Sequence, residues 1–361
     1  MIRIGIGALA GIVGGPATYA IELAHALARL GGHEYVVFTD RPDVFDGLET
    51  VHVPLASTYH QVTWDHARLP ALLRARGIAL YHGTKGVLPW RSAVPAVVTV
   101  HDLAVYACPD TFAWPQRWHF RLCVPPSVAR ARRVIADSEH ARDDLVARLG
   151  VPRPQVRVVP LGVAPRFRAA VDAAAVAALR ARFDLGPSLV ACVGTVQPRK
   201  HVERVIDAFA RADGPGRGWQ LAIAGRLRPG YTPAWTTAPP AGVRWLGPLD
   251  DDTLCALYAA AEVVVSASEY EGFGLTLCEG MAAGAAVVAV ATTSIPEVVG
   301  DAGLLVARSD PALLAEALVR LFDDAPLRRT LAERARTRAA AFTWDETARR
   351  TRAVYDEVLA G

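Results

Sequence analysis

At 361 residues the chain is long enough for two domains with separate cores, and a composition of 52% hydrophobic and 21% charged residues excludes a disordered or fibrous protein. The formal net charge of +3 is spread along the chain with no basic arm, which gives nucleic acid no electrostatic footprint. Five cysteines, an odd number with no CxxC pair and with Cys192 and Cys278 inside apolar runs, argue against a disulfide framework or zinc site and for a reducing compartment.

The opening MIRIGIGALAGIVGG has the early Arg and apolar run of a signal peptide, but its recurring glycines fit a first strand and phosphate loop better. No window reaches the roughly 18 uninterrupted apolar residues of a membrane span. After the predicted strand IRIGIGAL come Gly11, Gly14 and Gly15. PATYAIELAHALARL then places Ala20, Leu23, Ala24, Leu27 and Leu30 at helical spacing, with Pro16 in the first turn. EYVVFTD, TVHVPL, a helical LPALLRARG, IALYHG, PAVVTVHDL, RRVIADS and the helix EHARDDLVARLG follow, and QVRVVPLGV closes this half. Short apolar strands alternating with helices predict a parallel sheet covered on both faces. At SLVACVGTV the pattern restarts, through VERVIDAFARA, QLAIAGR, VRWLGPL, LCALYAAA, EVVVSAS, EYEGFGL and its helix, AAVVAV, and GLLV with PALLAEALVRLF. The fold class is therefore α/β with two Rossmann-like halves and a seam near VAPRFRAAV. WDETARRTRAVYDEVL is helical, comes after the second sheet is complete, and has to pack elsewhere, with the first half as one candidate.

Ligands of open parallel sheets sit beyond the carboxyl ends of the strands, which singles out GIVGG, VHDL, VGTVQPRK and SEYEGFGL. The first glycine cluster lacks the full GxGxxG spacing, so plain turn chemistry stays open beside phosphate binding. In SASEYEGFGLTLCEGMAAG, Gly272 and Gly274 precede a predicted helix near Leu275, so the amides of Phe273, Gly274 and Leu275 would be free for a ligand. Glu271 precedes that turn, and Glu279 is an isolated carboxylate in an apolar helical segment, a costly arrangement that marks function. Of 39 cationic residues only Lys85 and Lys200 are lysines, and Lys200, beside Arg199, suits phosphate oxygens as a compact point charge. His101 and Asp102 end a strand, where sugar contact and a structural role are equally open. Asp250 to Asp252 read as helix capping rather than a metal site. WPQRWHFRL interleaves Trp114, Trp118 and Phe120 with Arg117 and Arg121; an interfacial membrane patch is conceivable, a partly exposed helix the preferred reading.

Together, GIVGGPATYAIELAHAL, VTVHDLAVY, VIADSEHARDDL, VRVVPLGV, VGTVQPRKHVERVIDAF, EYEGFGLTLCEGMAAG and FTWDETARRTRAVYDEVL resemble the family 4 retaining glycosyltransferases over essentially the whole chain. The resemblance implies the GT-B architecture: two Rossmann-like domains facing a central cleft, with the closing helix crossing back to the first. The boundaries are then 1–165 with 345–361 for the acceptor side, and 166–344 for the nucleotide-sugar side. It further implies that Glu279 binds the ribose, that Glu271 with Gly272, Phe273, Gly274 and Leu275 holds the donor sugar and diphosphate, and that Lys200 pairs with the leaving diphosphate, assisted by Gly14 and Gly15. His101 would contact the donor sugar. Catalytic roles fall to His101, Lys200 and Glu271. Many members carry Arg where this chain has Thr195, a donor-site position whose missing charge Arg199 is a candidate to supply.

The expected activity is transfer of a hexose, mannose favoured, from a GDP- or UDP-linked donor to a hydroxyl of a glycan, lipid-linked or small-molecule acceptor, with no metal and no cofactor. The expected place is the cytoplasm, with peripheral contact at the inner face of the cell membrane left open. Two alternatives stand beside it: a glycoside hydrolase using Glu271 and Glu279, and a non-catalytic two-lobed sugar-binding protein.

Overall fold

A computed structural model of the protein describes residues 1–9, 14–54 and 64–361. The chain divides into two compact units, Met1–Gly162 with Thr343–Gly361, and Val163–Phe342. The first unit thus ends a few residues before 165. At the crossing, Val163 donates to the Phe342 carbonyl at 2.9 Å, and a Cβ on Gly162 would collide with the Trp344 backbone.

Unit 1 holds a seven-stranded sheet in the order β3-β2-β1-β4-β5-β6-β7. Its strands are β1 (Arg3–Ala8), β2 (Glu34–Thr39), β3 (Glu49–His52), β4 (Leu80–Gly83), β5 (Ala96–Val100), β6 (Arg133–Ala136) and β7 (Val156–Val158), paired in parallel throughout. Ile4, Ile6, Val36, Phe38, Val97, Val98, Val134 and Ile135 are fully buried, as expected for strands covered on both faces. Helix α1 (Gly15–Leu30) starts at Gly14, whose φ of 82° favours glycine, and buries Tyr19, Ala20, Leu23, Ala24 and Leu27 at the spacing read from sequence. Gly11 lies outside the described residues. Helix α2 (Trp114–Arg130) buries Cys123, Val124, Ser127 and Val128.

Unit 2 has a six-stranded parallel sheet, β10-β9-β8-β11-β12-β13, formed by β8 (Ser188–Val193), β9 (Trp219–Ala224), β10 (Val243–Gly247), β11 (Val263–Ser266), β12 (Ala286–Val290) and β13 (Gly303–Val306). A short 3-10 turn, Pro198–Lys200, and His201 in the left-handed conformation (φ 46°) separate β8 from helix α3 (Val202–Arg211). Lys200 is therefore on a connecting turn, not in the first turn of the helix. Helix α4 (Asp251–Ala260) is capped by Asp250, which accepts from Thr253 N at 2.8 Å, the role read from the sequence. Helix α5 (Leu275–Ala283) follows β11.

The last helix, α6 (Trp344–Ala360), belongs to unit 1. Its Glu357 accepts from Arg133 and Arg157 at 2.6 Å each, and those bonds hold its carboxyl down at about 2. No helix among the described residues is long and apolar enough to cross a membrane. Strand order reverses between β1 and β4 in unit 1 and between β8 and β11 in unit 2, which makes the loops after those strands the natural ligand positions.

Candidate active site

In unit 2 the two strands at the reversal lie side by side, with Ala191 of β8 opposite Val264 of β11. The turn after β8 carries Arg199 and Lys200, and the loop after β11 carries Glu269 to Gly274. Glu269 N donates to the Arg199 carbonyl at 2.9 Å, and an Arg199 guanidinium N–H donates to the Tyr270 carbonyl. The Lys200 ammonium donates to Glu271 Oε1, while Arg199 Nη1 stands 3.7 Å from Glu271 Oε2. The Glu271 backbone is itself fixed: its N–H donates to Thr293 Oγ1 and its carbonyl accepts from Ser294 Oγ, both at 2.9 Å. Thr293 has φ 50°, a strained conformation for a β-branched residue of the kind that gathers at functional sites.

The electrostatics of this cluster are unbalanced. Arg199 and Lys200, each under a fifth exposed, share the single carboxylate of Glu271. Burial would raise the Glu271 pKa, but Lys200 and Arg199 outweigh it and hold the carboxyl below its ordinary range. Burial, with the like charge of Arg199, pushes Lys200 below the ordinary lysine value despite Glu271. Arg228, after β9, is also pushed down, by burial and then by Arg199, and its Nη1 donates to Gln197 Oε1 at 3.3 Å. Cations crowded beside one carboxylate, with Lys200 and Arg228 both pushed down in part by Arg199, form a site that gains by taking up an anion.

The start of α5 adds donors. Gly274 precedes it at φ 97°, no side chain caps it, and among the described residues the amides of Phe273, Gly274 and Leu275 donate to no backbone carbonyl. A Cβ on Gly194, next to Thr195 at the end of β8, would stand 3.9 Å from Thr276 Cγ2, so this helix end adjoins the β8 turn. Gly225 allows β9 to close in: it has φ 148°, and a Cβ there would strike the Gly194 carbonyl. Further along α5, Glu279 is 7% exposed. The Tyr258 hydroxyl lies 3.0 Å from the Thr276 carbonyl and 3.1 Å from Glu279 Oε2, which orients the carboxylate. Lys200, Arg199, Glu271, Thr195 and the start of α5 thus share one corner of unit 2, with Glu279 in the next turn of the helix.

His101, Gly14 and Gly15 belong to unit 1. Asp137 ends β6 and accepts from His101 Nδ1 at 2.7 Å, while Nε2 donates to the Thr84 carbonyl at 2.9 Å. Burial alone would lower the His101 pKa, but Asp137, Asp102 and the Thr84 carbonyl raise it above the usual value. Both nitrogens are spent inside the unit, with the Nδ1 proton shared with Asp137, whose own pKa burial raises. The sequence reading missed Asp137, whose only signal is its place at the end of RVIAD, and Tyr258, Thr293 and Ser294, which carry none.

Residues 13–167 match the family model "Glycosyltransferase Family 4" and residues 180–338 match "Glycosyl transferases group 1". D-inositol 3-phosphate glycosyltransferase from Salinispora arenicola is 33% identical over 97% of this chain and 88% of its own. The chain belongs to glycosyltransferase family 4. O-antigen chain mannosyltransferase B from Escherichia coli is 27% identical over 75% of this chain and 72% of its own. Among solved structures, sucrose-phosphate synthase from Thermosynechococcus elongatus superposes with a TM-score of 0.81 at 25% identity over 100% of both chains. Anabaena HepE in complex with UDP-glucose gives 0.80 at 18%, over 99% of this chain and 100% of its own. The family 4 protein therefore has the GT-B fold and is a glycosyltransferase, and the corner built around Lys200 lies within its group 1 segment.

Proposed function

We propose that this transferase moves a hexose from a nucleoside-diphosphate sugar to an acceptor hydroxyl with retention, and that the Lys200 corner of unit 2 holds the donor diphosphate. The observation that carries this reading is the pair of partly buried cations sharing one carboxylate at the strand-order reversal. A diphosphate supplies the missing negative charge, and the uncapped start of α5 adds N–H donors and a positive helix end. As the glycosidic bond breaks, negative charge grows on the leaving diphosphate, and groups already fixed there stabilise it without reorganising. Glu271 holds the Lys200 ammonium in place. When the diphosphate draws the ammonium, that carboxylate becomes free to accept from sugar hydroxyls.

Glu279, held by Tyr258, is assigned to the ribose hydroxyls. Thr195 has no charge to offer, so Arg199 and Arg228 share the second cationic role. His101, anchored at Nδ1 by Asp137, gives a hydrogen bond to sugar only by releasing Thr84. A relative named as a mannosyltransferase favours mannose, and relatives named for D-inositol 3-phosphate favour a small phosphorylated acceptor; the common ground is a hydroxyl-bearing acceptor. The hydrolase alternative needs one carboxyl protonated as general acid and one ionised; Glu271 is held low by Lys200 and Arg199, and those two cations beside it suit a diphosphate rather than a neutral glycoside.

A melting-temperature panel of UDP, GDP, ADP and their sugars tests the assignment, because a ligand that binds the folded state stabilises it by mass action. The cognate nucleotide is expected to stand apart from the others. A panel in which no diphosphate raises the melting temperature would overturn it.

A further inference from the structure

We propose that the outer face of α2 docks the protein on an anionic lipid surface. One side of this helix is spent on the unit 1 core through Cys123, Val124, Ser127 and Val128. On the other side Trp114, Trp118 and Leu122, spaced i, i+4 and i+8, are 68%, 49% and 59% exposed. The two Trp rings touch edge to face at 5.8 Å. An apolar stripe at helical spacing normally faces a core, and a contiguous one left in solvent marks a contact surface. The partly exposed helix read from the sequence is therefore apolar on both faces.

Trp90 is also exposed, at 47%. It stacks on His66 at 4.1 Å, and His66 lies within electrostatic reach of His119 on α2. Arg130 of α2 donates to the Ser92 carbonyl in the same loop at 3.2 Å.

Charge chooses the occupant. Helix α2, WPQRWHFRLCVPPSVAR, carries Arg117, Arg121 and Arg130 and no Asp or Glu, with Arg117 paired to Asp110 ahead of the helix. Arg121 and Arg130 are exposed, as is Arg91 beside Trp90. Indole rings at headgroup depth flanked by guanidiniums that reach lipid phosphates are the chemistry of interfacial helices. A second copy of the chain fits less well. At about 200 Å² per Trp, exposures of 68% and 49% leave the two rings about 230 Å², well under the roughly 800 Å² each partner gives a stable dimer, and a two-fold contact would bring like charges together.

The proposal rests on unit 1 alone, so nucleotide binding by unit 2 serves as an independent control. Co-sedimentation with phosphatidylglycerol–phosphatidylcholine vesicles should exceed that with phosphatidylcholine alone, fall as salt is raised, and be accompanied by a blue shift of Trp fluorescence. Trp114→Ala with Trp118→Ala should weaken it by about tenfold or more, and Arg121→Glu by about thirtyfold, with melting temperature and nucleotide shift preserved. Should the double variant unfold, Arg121→Glu and Leu122→Gln at exposed positions carry the test. The proposal is overturned if anionic vesicles are not bound at low salt, if folded variants bind as well as the unsubstituted protein, or if the protein is a dimer that these substitutions dissociate.

Discussion

The strand ends of the two units treat buried polar groups in opposite ways. In unit 1 most of these groups are bonded to one another: Tyr19 OH to Thr99 Oγ1 at 2.8 Å, Thr99 Oγ1 to His82 Nε2 at 2.8 Å, His82 Nδ1 to Tyr355 OH at 2.6 Å, and beside it His101 between Asp137 and Thr84, with Asp137 Oδ1 left over. In unit 2 the corner stays open, with cations crowding one carboxylate and the first amides of α5 without backbone acceptors among the described residues. A closed network fixes a fold, and an open one fixes a ligand. The tie from Tyr355 to His82 also uses α6, so the closing helix is part of what completes unit 1.

The largest expected effect attacks the closed side. Burial drives His82 down to about 3, with a further push from His101. Its folded pKa lies below the unfolded value near 6.5, so the unfolded chain holds the extra proton between the two. Stability from this residue is full above pH 6.5 and falls by about 1.4 kcal/mol for each pH unit toward 3. Denaturant melts of the intact protein against pH should show that slope, and His82→Gln should flatten it. An unchanged slope in the variant would remove His82 from the network. His101 works the other way: its raised pKa gives stability that is present below pH 6.5 and lost as pH rises through the folded value.

On the open side, Lys200→Ala should cost about 3 to 4 kcal/mol of transition-state stabilisation, a hundredfold to thousandfold loss of turnover, while the fold survives. Lys200→Arg should recover only part of it, because a fork cannot replace a point charge held against Glu271. Diphosphate binding should also weaken as pH rises through the lowered pKa of Lys200, since binding pulls that pKa back up. Smaller still, Glu279→Gln should weaken nucleotide binding by about 1.5 to 3 kcal/mol, and it should do so for nucleosides and diphosphates alike, the mark of a ribose contact. A loss confined to diphosphates would move Glu279 out of that role.

The sequence carried the fold because its apolar runs alternate with helical spacing twice over, and it carried Lys200, Glu271 and Glu279 because each breaks a local pattern: a lysine among arginines, and carboxylates in glycine-rich or apolar surroundings. What it could not carry is pairing across distance. Tyr258 is one apolar helix residue among several until α4 packs it beside Glu279, and Asp137 is one strand-end acid until β6 lies beside β5. His101 shows the converse: strand-end position left sugar contact and a structural role equally open, and neighbours 17 and 36 residues away occupy both nitrogens. The exposed Trp114 and Trp118 were visible as residues, but only folding decides which helix face they take.

The central claim is that the Lys200 corner is charged for a diphosphate, and calorimetric titration of UDP and GDP against their monophosphates tests it most directly. One diphosphate should bind at least about tenfold more tightly than its monophosphate, with that preference abolished in Lys200→Ala. Equal affinity for mono- and diphosphate, or a preference that survives in the variant, would contradict it.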